Sequence, residues 1–182
     1  MKIGIVGVSG YGGSELLRLC AGHPSFEIAY VGGESTAGQA LAQRFPALGG
    51  HAAGKLVIQP FAPETITGVD LLFVSLPTGK SREPLARVPK IVRLVDVGGD
   101  HRFVEGWTYG LTELPGQRDK IRGARRLANP GCYPAAALLA LAPLLKEGLV
   151  EPEGIVIDAK SGVTGTGRGG ASDFGYAETN ED

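Results

Sequence analysis

The glycine spacing near the N-terminus constrains this chain more than any other feature. Residues 2–7 read KIGIVG, a short β-type run. Gly7, Gly10 and Gly13 follow at three-residue intervals with Gly12 beside them, and residues 14–24 then carry Leu16, Leu17, Leu19 and Cys20 at helical spacing. Gly22 and Pro24 stop that helix. A strand that turns at once into a helix needs positive φ at the turn and no Cβ where the two elements touch. The same loop lets a pyrophosphate approach the backbone, and the helix start offers it free N–H groups and the positive dipole end. The spacing is G-x-x-G-x-x-G, not the strict G-x-G-x-x-G. Its place after the first strand favours dinucleotide binding over a plain glycine-rich turn. Candidate cofactor contacts are Gly7, Ser9, Gly10, Tyr11, Gly12 and Gly13.

Beyond this unit, strands and helices alternate. Residues 26–33 read as a second strand. Residues 69–77 and 91–99 are near-continuous apolar strands of the type buried on both faces, with a short helix over 81–88 between them. Residues 125–129 end another strand. Residues 134–148 form an apolar helix that starts on Pro134, contains Pro143 as an expected kink, and is capped by Gly148. A further strand is expected over 154–162, followed by a glycine-rich loop. The pattern predicts an α/β fold, a Rossmann-like doubly wound parallel sheet. Residues 1–150 form the nucleotide-binding unit, and 151–182 begin a second, incomplete α+β domain that the tail 171–182 leaves without a stop signal.

Composition narrows the function classes. Among 182 residues the net charge is -1, and no basic run offers a nucleic-acid or membrane-surface site. The apolar runs fall short of the ~20 residues of a membrane span, and the N-terminus lacks the apolar region of a signal peptide. Two cysteines, Cys20 and Cys132, make no disulfide framework. A reducing cytoplasmic setting follows. No His/Cys/Asp spacing suggests a metal.

After the second strand, Glu34 stands where a carboxylate would hold a ribose 2′-hydroxyl of NAD. Ser35 and Thr36 beside it would instead hydrogen-bond the 2′-phosphate of NADP, which Glu34 would repel. Residues 75–81, SLPTGKS, end like a phosphate-binding loop, but position 74 is valine where that motif requires glycine. The loop, with Pro77, still follows a parallel strand where ligands bind in such sheets.

Cys132 lies in NPGCYP, residues 129–134, at the mouth of the apolar helix. The turn lifts the thiol clear of the sheet, Gly131 leaves room for a substrate, and the helix N-terminus favours a thiolate. That frame reads as a nucleophile. Cys20, inside a helical run, reads as core. Of the histidines, His23 and His51 read as surface residues. His101 follows a strand end and is a weaker candidate for acid/base work.

Several stretches resemble one family in its own order: GVSGYGGSELLRL, SLPTGKS, LVDVGGDHRF, YGLTELP, NPGCYPAAALLAL and DAKSGVTGTGR. The chain is similar to the N-acetyl-gamma-glutamyl-phosphate reductases of arginine biosynthesis, within the semialdehyde dehydrogenase superfamily. Carrier-linked aminoadipyl-phosphate reductases and, more distantly, aspartate-semialdehyde dehydrogenases are related. The resemblance implies NADPH-dependent reduction of an acyl phosphate through a thioester on Cys132, a small-molecule substrate and a homo-oligomer. It places Ser161 and Gly162 at the substrate and cofactor pocket, and Asn129 and Arg102 near the substrate. From the residues alone, Arg102 and Glu113 read equally well as a structural ion pair. Where the family has an aromatic residue, this chain has His101. The family's acid/base histidine motif falls beyond residue 182, so this stretch alone is expected to turn over little. A dinucleotide-binding module without chemistry is the alternative from another class.

Overall fold

Strand β1 (Lys2–Val6) is fully buried from Ile3 onward, and the rest of the sheet is built around it. The structure is a computed structural model that describes residues 1–168. The remaining residues, including the tail 171–182, lie outside the described region. In chain order the elements are β1, α1 (Tyr11–Ala21), β2 (Glu27–Gly32), α2 (Leu41–Arg44), β3 (Leu71–Val74), α3 (Arg82–Arg87), β4 (Arg93–Asp96), β5 (Thr108–Tyr109), α4 (Gln117–Gly123), β6 (Arg126–Ala128) and α5 (Cys132–Lys146). Short 3₁₀ turns fill the long connection between α2 and β3.

The strands form one parallel sheet in the order β2-β1-β3-β4-β6-β5. The chain leaves β1 to one side for β2 and to the other for β3, which opens a crevice at the carboxyl end of β1. Register makes this edge sharp. Gly32, Val6, Val74, Asp96 and Ala128 are successive partners across five strands. Every loop that leaves those strands therefore starts from one level row.

Both sheet faces are covered. On one, Ile3, Ile5, Ile28 and Val31 pack with Leu17 and Cys20 of α1 and Leu41 of α2. On the other, Val6, Leu72, Val74 and Leu94 pack with Leu85 of α3 and with Val88 and Val92. Each such side chain, removed from water, contributes ~1.5–3 kcal/mol before entropy is counted. This is why β1, β3 and β4 read as apolar runs with little alternation.

Three boundaries differ from the sequence reading. Helix α1 starts at Tyr11, because extended Gly10 caps it and its carbonyl accepts from Ser14 N at 2.9 Å. Helix α5 starts at Cys132, with Pro134 still in its first turn, where no backbone acceptor is lost. The helix runs through Pro143 to Lys146 and closes in a Schellman motif. Leu149 N donates to Leu144 O, Gly148 N donates to Leu145 O, and Gly148 takes φ +65°. Residues 154–162 are not a strand. They are exposed, with Val156 90% accessible, and among the described residues no strand lies alongside to accept their hydrogen bonds. The elements α2, α4 and β5 are too short to leave a periodic signal.

Candidate active site

Two depressions open on the carboxyl edge of the sheet. The larger, about 560 Å³, lies at the β1 crevice. Its floor is Val6, Gly7, Ser9 and Gly10, and its walls include Gly33, Glu34, Ser35, Phe61, Ser75, Leu76 and Pro77. The glycine loop is shaped by contact. A Cβ on Gly7, at φ +85°, would fall 2.1 Å from Ser75 O, and one on Gly13 would fall 1.9 Å from Gly7 O. Nothing larger than hydrogen lets α1 approach β1 and β3 this closely. The first N–H groups of α1 have no partners within the helix and face this end of the sheet.

Gly7, Ser9, Gly10, Ser35 and Pro77 line this cleft, and Glu34 does too. Glu34 Oε1 accepts from Phe61 N at 3.1 Å, which ties its carboxylate to the wall. Tyr11, Gly12 and Gly13 form the first turn of α1 behind the lining. Thr36 is buried, its hydroxyl directed to Ser9 Oγ at 3.4 Å, so it braces the glycine loop from below. Arg87 and Arg168 also line the cleft and were not singled out in the sequence. The Arg168 guanidinium sits 4.7 Å over the Tyr11 ring, so the loop after Gly162 reaches back to the nucleotide side.

The smaller depression, about 410 Å³, is formed by Cys132, Tyr133, Ala136 and residues 157–162. Cys132 is exposed, whereas Cys20 is buried and burial pushes its thiol up. Gly131 caps α5 in an extended conformation, and its carbonyl accepts from Ala135 N at 2.9 Å. The N–H groups of Cys132 and Tyr133 thus lie in the unpaired first turn beside the thiol. Ser161 and Gly162 belong to this depression and do not line the glycine-loop cleft. Asn129 and Arg102 meet beneath it. Arg102 Nε donates to Asn129 O at 3.1 Å, and a Cβ on Gly131 would fall 2.7 Å from Arg102 Nη1. Gly131 therefore makes room for the guanidinium of the protein itself. Arg102 makes no ion pair with Glu113, which lies instead on a separate groove with Leu138, Leu139 and Lys146.

Between the two depressions lies a buried polar cluster centred on Asp96, the last residue of β4. Asp96 Oδ2 accepts from His101 Nδ1 at 2.6 Å, and Oδ1 accepts from Gly98 N at 3.0 Å. Ser81 Oγ is 2.9 Å from both Asp96 Oδ2 and Asp100 Oδ2 and shares its one proton between them. His101 is 4% exposed and stacked 3.9 Å from the Trp107 ring, which removes it from direct acid/base work. His23 stacks on Phe26, and His51 Nδ1 accepts from Ala53 N. Asp100 explains the SLPTGKS loop. Its carboxylate accepts from Gly79 N, Ser81 N, Ser81 Oγ and Arg82 N. Burial pulls the Asp100 carboxyl up, but those four bonds outweigh it and hold it down at about 2. The amides that a phosphate would use in a P-loop are filled by an internal carboxylate. The sequence carried one signal of the cluster, an aspartate closing an otherwise apolar strand.

Among the described residues no cluster of His, Cys, Asp and Glu could hold a metal ion, and no helix is long and apolar enough to cross a membrane. The profile of the semialdehyde dehydrogenase NAD binding domain matches residues 2–124, and that of the semialdehyde dehydrogenase dimerisation domain matches residues 132–182. The chain belongs to the semialdehyde dehydrogenase family. It is 56% identical over 181 residues to the N-acetyl-gamma-glutamyl-phosphate reductase of Bradyrhizobium sp. (strain ORS 278), covering 100% of this chain and 55% of that protein. It is 60% identical over 183 residues to the reductase of the same name from Methylobacterium sp. (strain 4-46), with the same coverage. The chain thus spans about half the length of these relatives. Among solved structures, the aspartate semialdehyde dehydrogenase with NADP from Candida albicans superposes with a TM-score of 0.65 at 18% identity, over 80% of this chain and 47% of that one. The Francisella tularensis enzyme gives 0.62 at 19%, over 81% and 41%. These structures share the fold. The second matched profile begins at Cys132, and residues 125–131, which hold β6 and the loop 129–131, lie between the two.

Proposed function

We propose that this chain carries the nucleotide site and the nucleophile of an N-acetyl-gamma-glutamyl-phosphate reductase, releasing N-acetylglutamate 5-semialdehyde and phosphate. In this reading residues 1–150 are the nucleotide-binding unit with Cys132 at its edge. Residues from 151 onward begin a substrate and dimerisation domain, and the protein works in the cytoplasm as a homo-oligomer. The observation that carries it is the shared sheet edge: an exposed cysteine on a helix N-terminus, one loop group away from a glycine-lined cleft.

The cleft suits NADP(H). Gly7 and Gly13 let the loop close tightly on β1 and β3, so that Gly7 and Gly10 floor the cleft, and Ser35 lines it at the end of β2. The Phe61 amide holds the Glu34 carboxylate and offsets part of its repulsion of a 2′-phosphate. The bound cofactor supplies a hydride. Cys132 supplies the covalent chemistry. Its thiolate attacks the acyl carbon and phosphate leaves, so a thioester forms on Sγ. That thioester would be the acceptor for the hydride, and Cys132 would leave as the thiolate when the aldehyde is released. The N–H groups of Cys132 and Tyr133 are placed to steady the oxygen that becomes negative in both steps. Arg102, held against Gly131 next in sequence to Cys132, provides a fixed positive charge for the anionic substrate.

The test is Cys132→Ala in the intact protein, with reduction of the acyl phosphate and cofactor titration measured side by side. Turnover should fall by at least ~10³-fold with the cofactor Kd unchanged. Surviving turnover would overturn the nucleophile, and loss of cofactor binding would mean that the two depressions are not separable.

A further inference from the structure

Beyond the nucleophile, we propose that the buried Asp96–His101 pair is a positioning device for Arg102, and that it sets the positive charge beside Cys132. The inference rests on the reading of Cys132 as nucleophile and extends it to groups that never touch substrate.

Asp96 is 0% exposed and ties three loops together at the sheet edge. Its carboxylate holds Ser81 of the loop after β3 and His101 of the loop after β4. Its carbonyl accepts from Asn129 N at 2.8 Å, which fixes the start of the loop that carries Cys132. Arg102 is the residue after His101, and its Nε donates to the carbonyl of that same Asn129. The segment 96–102 and the segment 129–132 are therefore clamped twice at Asn129, whose N–H is held by the Asp96 carbonyl and whose carbonyl is held by Arg102 Nε. The guanidinium is caught between the clamps, against Gly131.

His101 holds its end of the clamp by two independent contacts. Nδ1 carries the proton donated to Asp96 Oδ2, and the ring stacks on Trp107 at an interplanar angle of 23°. An imidazole that is almost fully buried between a carboxylate and an indole has few alternative rotamers. The backbone of the next residue inherits that rigidity. A long Arg side chain otherwise samples many rotamers, and the clamp removes part of that freedom before a substrate arrives. Asp100 completes the frame by fixing the loop 79–82 to the same segment.

The experiment compares alkylation of Cys132 by anionic iodoacetate and neutral iodoacetamide in the intact protein, with the labelled peptide measured by mass spectrometry. Buried Cys20 is the internal control. Arg102→Gln should lower the iodoacetate-to-iodoacetamide rate ratio about 3–10-fold, the size expected when one nearby charge stops attracting an anion. His101→Phe, which keeps a ring against Trp107 but loses the donor, should lower the ratio nearly as much. His101→Asn, which restores a donor toward Asp96, should recover most of it. The acyl-phosphate KM should follow the same order, rising about tenfold in His101→Phe with a smaller change in kcat.

An unchanged ratio in His101→Phe alongside a lowered one in Arg102→Gln would overturn the clamp. An unchanged ratio in Arg102→Gln would overturn the role of Arg102. Should His101→Phe fail to fold, Asp96→Asn, which removes the charge at constant volume, replaces it with the same expected fall. The alkylation readout needs no turnover. A wild-type protein that shows the ratio effect but reduces no acyl phosphate would sink the proposed reaction and leave the clamp standing.

Discussion

The β1–β3 region and the α5 region are both rich in apolar residues, yet they end up in opposite states. Ile3, Ile5, Leu72 and Val74 are all 0% exposed. Helix α5, with six leucine and tyrosine side chains along CYPAAALLALAPLLK, has no buried residue, and Ile155, Val156 and Ile157 after it are open to water. The difference lies in what each stretch meets. A strand at the centre of a sheet finds hydrogen-bond partners on both sides and helices on both faces. An apolar helix at the edge finds a partner for one side at most. Apolar sequence makes a buried element only where a complementary surface exists.

The contrast is tested most severely at the glycine loop. Gly13→Ala sets a Cβ 1.9 Å from Gly7 O, a clash with backbone that no rotamer relieves. The variant should lose ~3 kcal/mol or more of stability and its affinity for dinucleotide. Chemical denaturation and cofactor titration measure both, and near-native values would mean that α1 does not pack as described. Next in size is Leu72→Ala, in the centre of the second core cluster. It should cost ~2–5 kcal/mol as transfer and cavity terms add. Its counterpart Leu139→Ala, at a position of α5 that is 45% exposed, should cost less than ~0.5 kcal/mol in the 182-residue chain. Equal losses at the two leucines would erase the distinction between the regions.

An effect smaller than that at Leu72 comes from Asp100, on the partly open sheet edge. Its folded carboxyl is held near 2, below the ordinary value of 3.8. A depressed carboxyl contributes stability above its unfolded pKa and loses that contribution as pH falls through the folded one. The contribution is therefore present at neutral pH and fades between about pH 4 and pH 2. Solvent around this partly open site limits it to roughly 1 kcal/mol. Asp100→Asn should remove that amount at pH 7 and flatten the acid limb of the stability curve over that range. An unchanged curve would show that the loop 79–82 is held by other means.

The elements legible in the sequence are those set by local rules. The glycine loop announced the β1–α1 unit because only glycine tolerates φ +85° beside the Ser75 carbonyl. Cys132 stood out because two prolines and Gly131 frame a helix mouth. The clamp was not legible. Ser81, Asp96, His101 and Asn129 share no period, and only the register of β3, β4 and β6 brings their loops together. His101 drew attention as a possible acid or base, and burial against Trp107 gives it a different task. The expected strand over 154–162 had the right composition and lacked the neighbour.

The sequence by itself determined that the chain turns on glycine after β1, that two long helices form, and that Cys132 stands at a helix mouth, because steric and periodic rules act over a few residues. Only the tertiary structure decided that five strands end on one level row, that the Arg102 guanidinium fills the space beside Gly131, and that α5 stays uncovered. Those outcomes depend on which surfaces meet across the sheet, and no local stretch encodes its partner.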